Sequence, residues 1–239
     1  MASVPVKLTK PEYVEFFANP LWYTHFTAEM EYYLRGEDPE DEDDRREFES
    51  EKQRLRGMLI ELYNEDKIAL GKSGINFDAE RKEIDTVVIH HTAGKADATW
   101  QYINIQHLFR LYIPEHNNPE RAYYHKPLWS GHLQNAKMIF CGYHYLIWSD
   151  GKVEQMLNDQ QIGWHAGNWD TNTRSIAICF IGDLTESKPS EQALRSAKEI
   201  IAKYPLGLSI VGHREVLPST ICPGNKFLGN NGWKQSLIN

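Results

Sequence analysis

Apolar and polar positions follow two different periods along this chain, and the change from one to the other falls near residue 84. Residues 45–70 place apolar side chains at helical spacing, which predicts one amphipathic helix. Residues 11–34 are rich in aromatic residues and helix formers, and Pro20 divides them into two predicted short helices. Residues 36–44 are acidic, and because like charges repel we expect a solvated loop there.

From residue 84 onwards, short apolar runs alternate with helical patterns. The runs predict strands at 85–90, 138–148, 152–156, 175–181 and 208–212. The second and third of these strands form a predicted hairpin. The helical patterns predict helices over 99–112 and from residue 190 onwards. Strands in alternation with helices predict an α/β fold with a central mixed β-sheet flanked by helices.

The same change of pattern predicts the domain organisation. A helical, acidic N-terminal extension covers residues 1–80, and a second domain covers residues 81–239. Within the second domain, residues 113–137 are polar and contain prolines and histidines, which predicts a long surface insertion. We interpret the aromatic-rich extension as a packing element. A cap over the second domain, or a module that binds a partner, remains its functional alternative.

The net charge of −7 is unevenly distributed along the chain, and its distribution argues against nucleic-acid binding. Residues 1–85 contain 12 Lys and Arg against 21 Asp and Glu, a net charge of −9, and the remainder carries +2. Neither part has the basic stripe that nucleic-acid binding needs, so no nucleic-acid partner is expected. No apolar run reaches the roughly 18 residues of a membrane span. The first ten residues lack the features of a secretory signal, so we expect a protein that is cytoplasmic at synthesis.

Three residues at or just after predicted strand ends are candidate metal ligands. His90 and His213 each end an apolar run, and Cys222 lies in a Cys-Pro-Gly turn that follows His213. A catalytic zinc ion takes three protein ligands of this kind and leaves one position open. The chain has 10 histidines, so chance pairings are frequent and a structural role stays open on these residues alone. Cys141 and Cys179 stand in apolar runs and are predicted to be small buried side chains.

Four linked motifs extend this picture. In chain order they are Val-Val-Ile-His-His-Thr at 87–92, Gly-Tyr-His-Tyr at 142–145, His-Ala-Gly at 165–167, and Gly-His-Arg at 212–214 with Cys-Pro-Gly at 222–224. Together they resemble the zinc-dependent N-acetylmuramoyl-L-alanine amidases, a family that includes phage lysozyme-type amidases and animal peptidoglycan recognition proteins. The resemblance covers roughly residues 84–228 and does not reach residues 1–80.

The resemblance implies the role of each matching residue. It implies that zinc is the cofactor, held by His90, His213 and Cys222. It implies two catalytic residues that stabilise a developing oxyanion, Tyr143 and Thr220. It implies three residues that line the peptide-binding groove, namely His91, His165 and Asn172. Recycling members of the family carry aspartate where Cys222 stands, which places this chain nearer the phage and animal branch.

The activity that the resemblance implies is peptidoglycan hydrolysis. A zinc-activated water would cleave the amide between the lactyl group of N-acetylmuramic acid and L-alanine of the stem peptide. The expected partner is peptidoglycan or a muropeptide, and the expected state is a monomer. Release to the cell wall, as in bacteriolytic phage endolysins, is one expected route of delivery. The alternative is a non-catalytic module that binds peptidoglycan. Cys222 favours the enzyme, because non-catalytic relatives typically replace this ligand.

Overall fold

A computed structural model of the chain describes residues 4–238, which divide into two units. The first unit comprises the described residues of Met1–Ile75 with Asn104–Gly131 and Asn135–Met138. The second comprises Asn76–Ile103, His132–Gln134 and the described residues of Ile139–Asn239. Asn104–Gly131 is thus grouped with the N-terminal segment, which a single boundary at residue 80 does not anticipate.

The regular elements are short apart from one helix. The α-helices are α1 (Lys10–Phe17), α2 (Ala28–Met30), α3 (Glu42–Asn64), α4 (Trp100–His107), α5 (Ile113–His116), α6 (Trp169–Arg174), α7 (Glu191–Ile201), α8 (His213–Val216) and α9 (Gln235–Ile238). Segments of π-helix follow α2 and α4, at Glu31–Arg35 and Leu108–Tyr112, and 3-10 turns lie at Trp22–Thr24 and Phe77–Glu80. The strands are β1 (Thr86–His91), β2 (Leu133–Gln134), β3 (Lys137–Met138), β4 (Tyr145–Ile147), β5 (Val153–Gln155), β6 (Ser175–Phe180) and β7 (Ser209–Gly212).

The second unit is built on a five-stranded sheet in the order β5-β4-β6-β1-β7. β4, β6, β1 and β7 run parallel, and β5 pairs antiparallel with β4. The predicted α/β fold with a mixed sheet is therefore confirmed, as is the hairpin, although its strands are shorter than expected. All six residues of β1 and all six of β6 are buried, which explains why their sequences are apolar with little alternation.

Helix α7 packs on this sheet as its sequence predicts. The Ser190 side chain accepts a hydrogen bond from the backbone N–H of Ala193, which caps the first turn. The apolar residues of α7 belong to the same buried cluster as the β1 and β6 side chains, and they are Ala193, Leu194, Ala197 and Ile200. Cys141 and Cys179 are 1% and 0% exposed free thiols, which confirms that both are small buried side chains.

The first unit buries the aromatic residues of its N-terminal segment. Tyr13 and Phe17 of α1 are fully buried, and the Trp22 indole donates to the Ala69 carbonyl at 3.1 Å. Glu29 is 1% exposed and accepts from the Tyr13 hydroxyl at 2.9 Å and from the Arg54 guanidinium. These partners offset the cost of burying the Glu29 carboxylate. The burial of Tyr13, Phe17 and Trp22 agrees with the packing role that the sequence predicts.

Two expectations for the first unit are wrong. The acidic stretch is not wholly a loop, because Asp41 caps α3 and residues 42–44 form its first turn, where the helix dipole favours negative charge. The helix then ends at Asn64, well before residue 70. Residues 113–137 are mostly exposed or half-buried, as a surface insertion requires, and buried side chains such as His116 (2% exposed) and Leu128 (0% exposed) anchor them.

Acid is expected to destabilise the second unit through His144. Burial lowers the pKa of His144 to about 3 from 6.5. Between these two pH values the imidazole is protonated in the unfolded chain and neutral in the folded chain. The free energy of unfolding should therefore fall by about 2 kcal/mol between pH 7 and pH 5, as the pH passes below 6.5. Urea denaturation at both pH values measures this loss. His144→Gln should make the loss smaller and His25→Gln, at an exposed position, should not; equal losses in all three proteins would contradict the assignment.

Candidate metal centre

The register of the sheet brings the two candidate histidine ligands together. β1 lies between β6 and β7, and Ile89 of β1 pairs with Gly212 of β7. His90 and His213 follow these partners directly, so both lie at the carboxyl ends of neighbouring parallel strands. The chain turns into α8 at His213, and the Glu215 carboxylate accepts from the Gly212 N–H at 2.7 Å. The two imidazole centroids are 4.6 Å apart.

The loop after α8 returns Cys222 to the same place. The N–H of Arg214 donates to the Cys222 carbonyl at 2.8 Å, which closes the loop on itself. The turn then requires glycine at 224, where φ is +123° and a Cβ atom would lie 2.0 Å from the Leu184 carbonyl oxygen. The Cys222 sulfur is 3.8 Å from His90 Nδ1 and accepts from the His91 N–H at 3.4 Å.

One ligand atom from each of His90, His213 and Cys222 lies within 4.8 Å of the other two. The Nε2 atom of His213 is buried and has no hydrogen-bond partner among the described residues. A buried nitrogen of this kind is costly unless something binds it. Two imidazole nitrogens and a thiolate sulfur are the donors that zinc prefers, and three protein ligands leave a fourth position open. The residues therefore fit zinc.

Burial controls the protonation of these groups. It lowers the pKa of His213, which favours the neutral imidazole that a metal needs, although a hydrogen bond to the Ala166 carbonyl acts in the opposite direction. It raises the pKa of the Cys222 thiol to about 11. Binding of a metal would therefore displace a proton from Cys222, which makes affinity rise with pH.

Two hydroxyl groups stand beside this cluster. The ring centroid of Tyr143 is 5.1 Å from that of His90, and its hydroxyl shares a hydrogen bond with the Cys179 thiol. Burial holds the pKa of Tyr143 well above its usual value, so the hydroxyl keeps its proton at neutral pH. Thr220 is half-buried, and its oxygen accepts from the Cys222 N–H at 3.1 Å. The Thr220 hydroxyl can therefore still donate its own hydrogen to another acceptor.

The three residues expected in a peptide groove make internal contacts. His91 is 6% exposed, and its Nδ1 accepts from the Leu184 N–H at 2.9 Å. His165 is 8% exposed, and its Nδ1 lies 3.0 Å from Nε2 of His90. The Asn172 side chain accepts from the N–H groups of His165 and Ala166 at 3.3 and 2.9 Å. His165 thus contacts the candidate ligand His90 directly, and Asn172 holds the loop that carries His165.

The sequence of residues 80–225, more than half of the chain, matches the family described as N-acetylmuramoyl-L-alanine amidase. The chain belongs to this amidase family. The amidase match begins just before β1 and ends just after the Cys-Pro-Gly turn, so it contains all three candidate ligands. Among the described residues of this chain, no helix has the length and apolar character that crossing a membrane requires.

Peptidoglycan-recognition proteins of insects are similar to this chain. The SD proteins of Drosophila simulans and Drosophila melanogaster are 36% and 37% identical to it over 98 and 109 residues. These alignments cover 38% and 40% of this chain and 51% and 57% of the relatives, so the chain spans about half of their length. Peptidoglycan-recognition protein SC2 of Drosophila melanogaster is 28% identical over 179 residues, which cover 69% of this chain and 83% of the relative.

A solved structure is also similar to this chain. N-acetylmuramoyl-L-alanine amidase LysC from Clostridium intestinale URNW is 21% identical, with a TM-score of 0.46. The alignment covers 69% of this chain and 87% of that chain.

Sequence reasoning did not single out Ser175. This residue is 0% exposed, and its hydroxyl lies 3.2 Å from Nε2 of His165. The other ring nitrogen of His165 contacts His90. The signal that could have found it is a polar residue at the first position of an otherwise apolar, fully buried strand. A buried hydroxyl needs a hydrogen-bond partner, so a serine at this position indicates a polar group nearby in the interior.

Proposed function

We propose that this chain is a zinc-dependent N-acetylmuramoyl-L-alanine amidase that hydrolyses the amide between the lactyl group of N-acetylmuramic acid and L-alanine of peptidoglycan stem peptides. The observation that carries the proposal is the convergence of His90, His213 and Cys222, with their ligand atoms within 4.8 Å of one another. Membership of the amidase family supports the reaction class.

In this proposal His90, His213 and Cys222 hold the metal. Bound zinc supplies Lewis acidity to a substrate carbonyl and lowers the pKa of water to about 7. The sheet supplies rigidity, since His90 and His213 are fixed by the pairing of β1 with β7 and Cys222 by its closed loop. All three ligands come from one chain, so a monomer is sufficient for activity. We assign this activity to the domain of residues 81–239.

Tyr143 and Thr220 act as hydrogen-bond donors to the oxygen that gains charge when the amide is attacked. A donor must keep its proton, and burial ensures this for Tyr143 by raising the pKa of its phenol. The Thr220 oxygen accepts from the Cys222 N–H, so its own hydroxyl hydrogen can be donated to a substrate oxygen. Each well-placed donor to an oxyanion contributes about 3 kcal/mol to the lowering of the barrier.

The second candidate is a recognition module that binds peptidoglycan without cleaving it. The relatives named peptidoglycan-recognition proteins favour it. The complete His, His, Cys donor set favours the enzyme, because a binding module gains nothing from a metal site with an open position.

Digestion of purified muropeptides and of intact sacculi separates the two candidates. We expect free stem peptides beginning with L-alanine in the mass spectrum, loss of this product after treatment with a chelator, and its return when zinc is added. Binding to sacculi without release of peptides would favour the recognition module. Cleavage that persists in the zinc-free protein would contradict the proposed mechanism. Comparing the two substrates shows whether the enzyme acts on the intact wall, as an endolysin does.

A further inference from the structure

A chain of hydrogen bonds leads away from His90 into the protein interior. Nε2 of His90 lies 3.0 Å from Nδ1 of His165, and Nε2 of His165 lies 3.2 Å from the Ser175 hydroxyl. The Ser175 hydroxyl lies 2.7 Å from the Thr171 carbonyl oxygen. His90, His165 and Ser175 are 1%, 8% and 0% exposed, so their hydrogen bonds are largely shielded from solvent.

The far end of the chain fixes the direction of every bond. A carbonyl oxygen can only accept, so Ser175 donates its single hydroxyl hydrogen to Thr171. The Ser175 oxygen must then accept from Nε2–H of His165. A neutral imidazole protonated on Nε2 has its lone pair on Nδ1, so His165 accepts from Nε2–H of His90. The lone pair of His90 is thereby placed on Nδ1.

That atom is the one that faces the candidate centre. Nδ1 of His90 lies 3.8 Å from the sulfur of Cys222. A histidine binds a metal only through an unprotonated nitrogen, and the hydrogen bond made by the other nitrogen decides which one is unprotonated. A reversed chain would put a hydrogen on Nδ1 of His90 and direct it at the metal position.

The scaffold holds the chain in one geometry. The Arg81 guanidinium donates to the carbonyls of Asn172 and Ser175, both at 3.1 Å, at the junction where α6 becomes β6. The Asn172 side chain accepts from the backbone N–H of His165, which fixes the loop that carries this imidazole. The hydroxyl of Ser175 and the ring of His165 therefore have little freedom to exchange partners.

We propose that His165 and Ser175 are positioning residues that fix His90 in the tautomer with its lone pair on Nδ1, ready to bind the metal. This inference rests on the proposed function, since it concerns the same metal. In this inference His165 orients His90 and does not contact the stem peptide of the substrate. Loss of the Ser175 hydroxyl removes the acceptor that holds the hydrogen on Nε2 of His165, so the pair is expected to reverse both tautomers.

The test compares Ser175→Ala with Thr173→Val in the full-length chain. Thr173 is a matched control, because its hydroxyl also makes a buried bond to a backbone carbonyl, that of Asp170 at 2.7 Å, and the control leaves His165 untouched. Zinc affinity is measured by competition with a chelating dye. Outer contacts of metal-bound histidines typically change affinity by about 10 to 100-fold, so Ser175→Ala should weaken zinc binding within this range. Thr173→Val should bind zinc as the wild type does.

The second readout is the tautomer itself, from long-range ¹H–¹⁵N spectra of histidine-labelled protein before and after zinc addition. In the wild type, His90 and His165 should both be protonated on Nε2; in Ser175→Ala without zinc, both should be protonated on Nδ1. Protonation of wild-type His90 on Nδ1 would overturn the inference, as would a loss of affinity without a change of tautomer. If the wild type binds no zinc, the proposed function fails, and the tautomer of His90 still decides this inference. Should Ser175→Ala not fold, the wild-type spectrum alone decides it.

Discussion

Replacing His213 with alanine is expected to abolish hydrolysis and to remove most of the zinc. Structural zinc sites bind with about 10–16 kcal/mol shared among four ligands, so one lost ligand weakens binding by roughly 100-fold or more. The buried Nε2 of His213 has no hydrogen-bond partner among the described residues, which is the arrangement expected of an atom that binds the proposed metal. Activity should fall by more than about 10³-fold, because unassisted water is a far poorer nucleophile than zinc-activated water.

The measurement for His213→Ala is the metal content of the dialysed protein together with the rate of stem-peptide release. His25→Ala is the matched control, since it removes an exposed imidazole from the other unit. The control should keep zinc and full activity. A His213→Ala protein that retains wild-type activity would remove His213 from the mechanism, and retained zinc without activity would assign it a role other than ligand.

Replacing Tyr143 with phenylalanine is expected to lower kcat by about 10² to 10³-fold while leaving zinc content unchanged. The substitution removes only a hydroxyl, whose hydrogen-bond partner is the Cys179 thiol. Because the donor acts on charge that develops during the reaction, KM should change much less than kcat. Burial raises the pKa of Tyr143, so the hydroxyl is protonated at neutral and mildly alkaline pH and its contribution should not vary there.

Steady-state kinetics on a soluble muropeptide measure this effect. Tyr124→Phe is the matched control, because Tyr124 is 37% exposed and lies in the first unit. That variant should behave as the wild type. An unchanged kcat for Tyr143→Phe would show that the phenol does not act on the reacting carbonyl, and a parallel loss of zinc would show that it acts through the site instead.

Some of the fold follows from the sequence because local pattern and tertiary environment agree. β1 and β6 are apolar and buried on both faces, and α7 combines a serine cap with an apolar stripe that packs on the sheet. The pattern fails where one chain segment depends on a distant one. Residues 113–131 have a polar composition, yet Leu128 is 0% exposed and these residues belong to the same unit as the N-terminal segment.

Part of the candidate site also follows from the sequence, and part of it depends on distant chain segments. His90, His213 and Cys222 can be found from sequence, since strand ends and a Cys-Pro-Gly turn mark them and the motifs come in a recognisable order. The contacts of His165 cannot be found, because its partners are a strand residue 75 positions away and a buried serine. Repulsion among acidic residues does not predict the start of α3, because the helix dipole favours negative charge in the first turn.

The most direct test of the account is the zinc X-ray absorption spectrum of the purified full-length protein. We expect one zinc ion per chain, bonded to two histidine nitrogens at about 2.0–2.1 Å and to one sulfur at about 2.3 Å. The sulfur is diagnostic, because Cys222 is the cysteine that lies with His90 and His213 in this cluster. A protein that takes up no zinc, or a bound zinc with no sulfur neighbour, would contradict it.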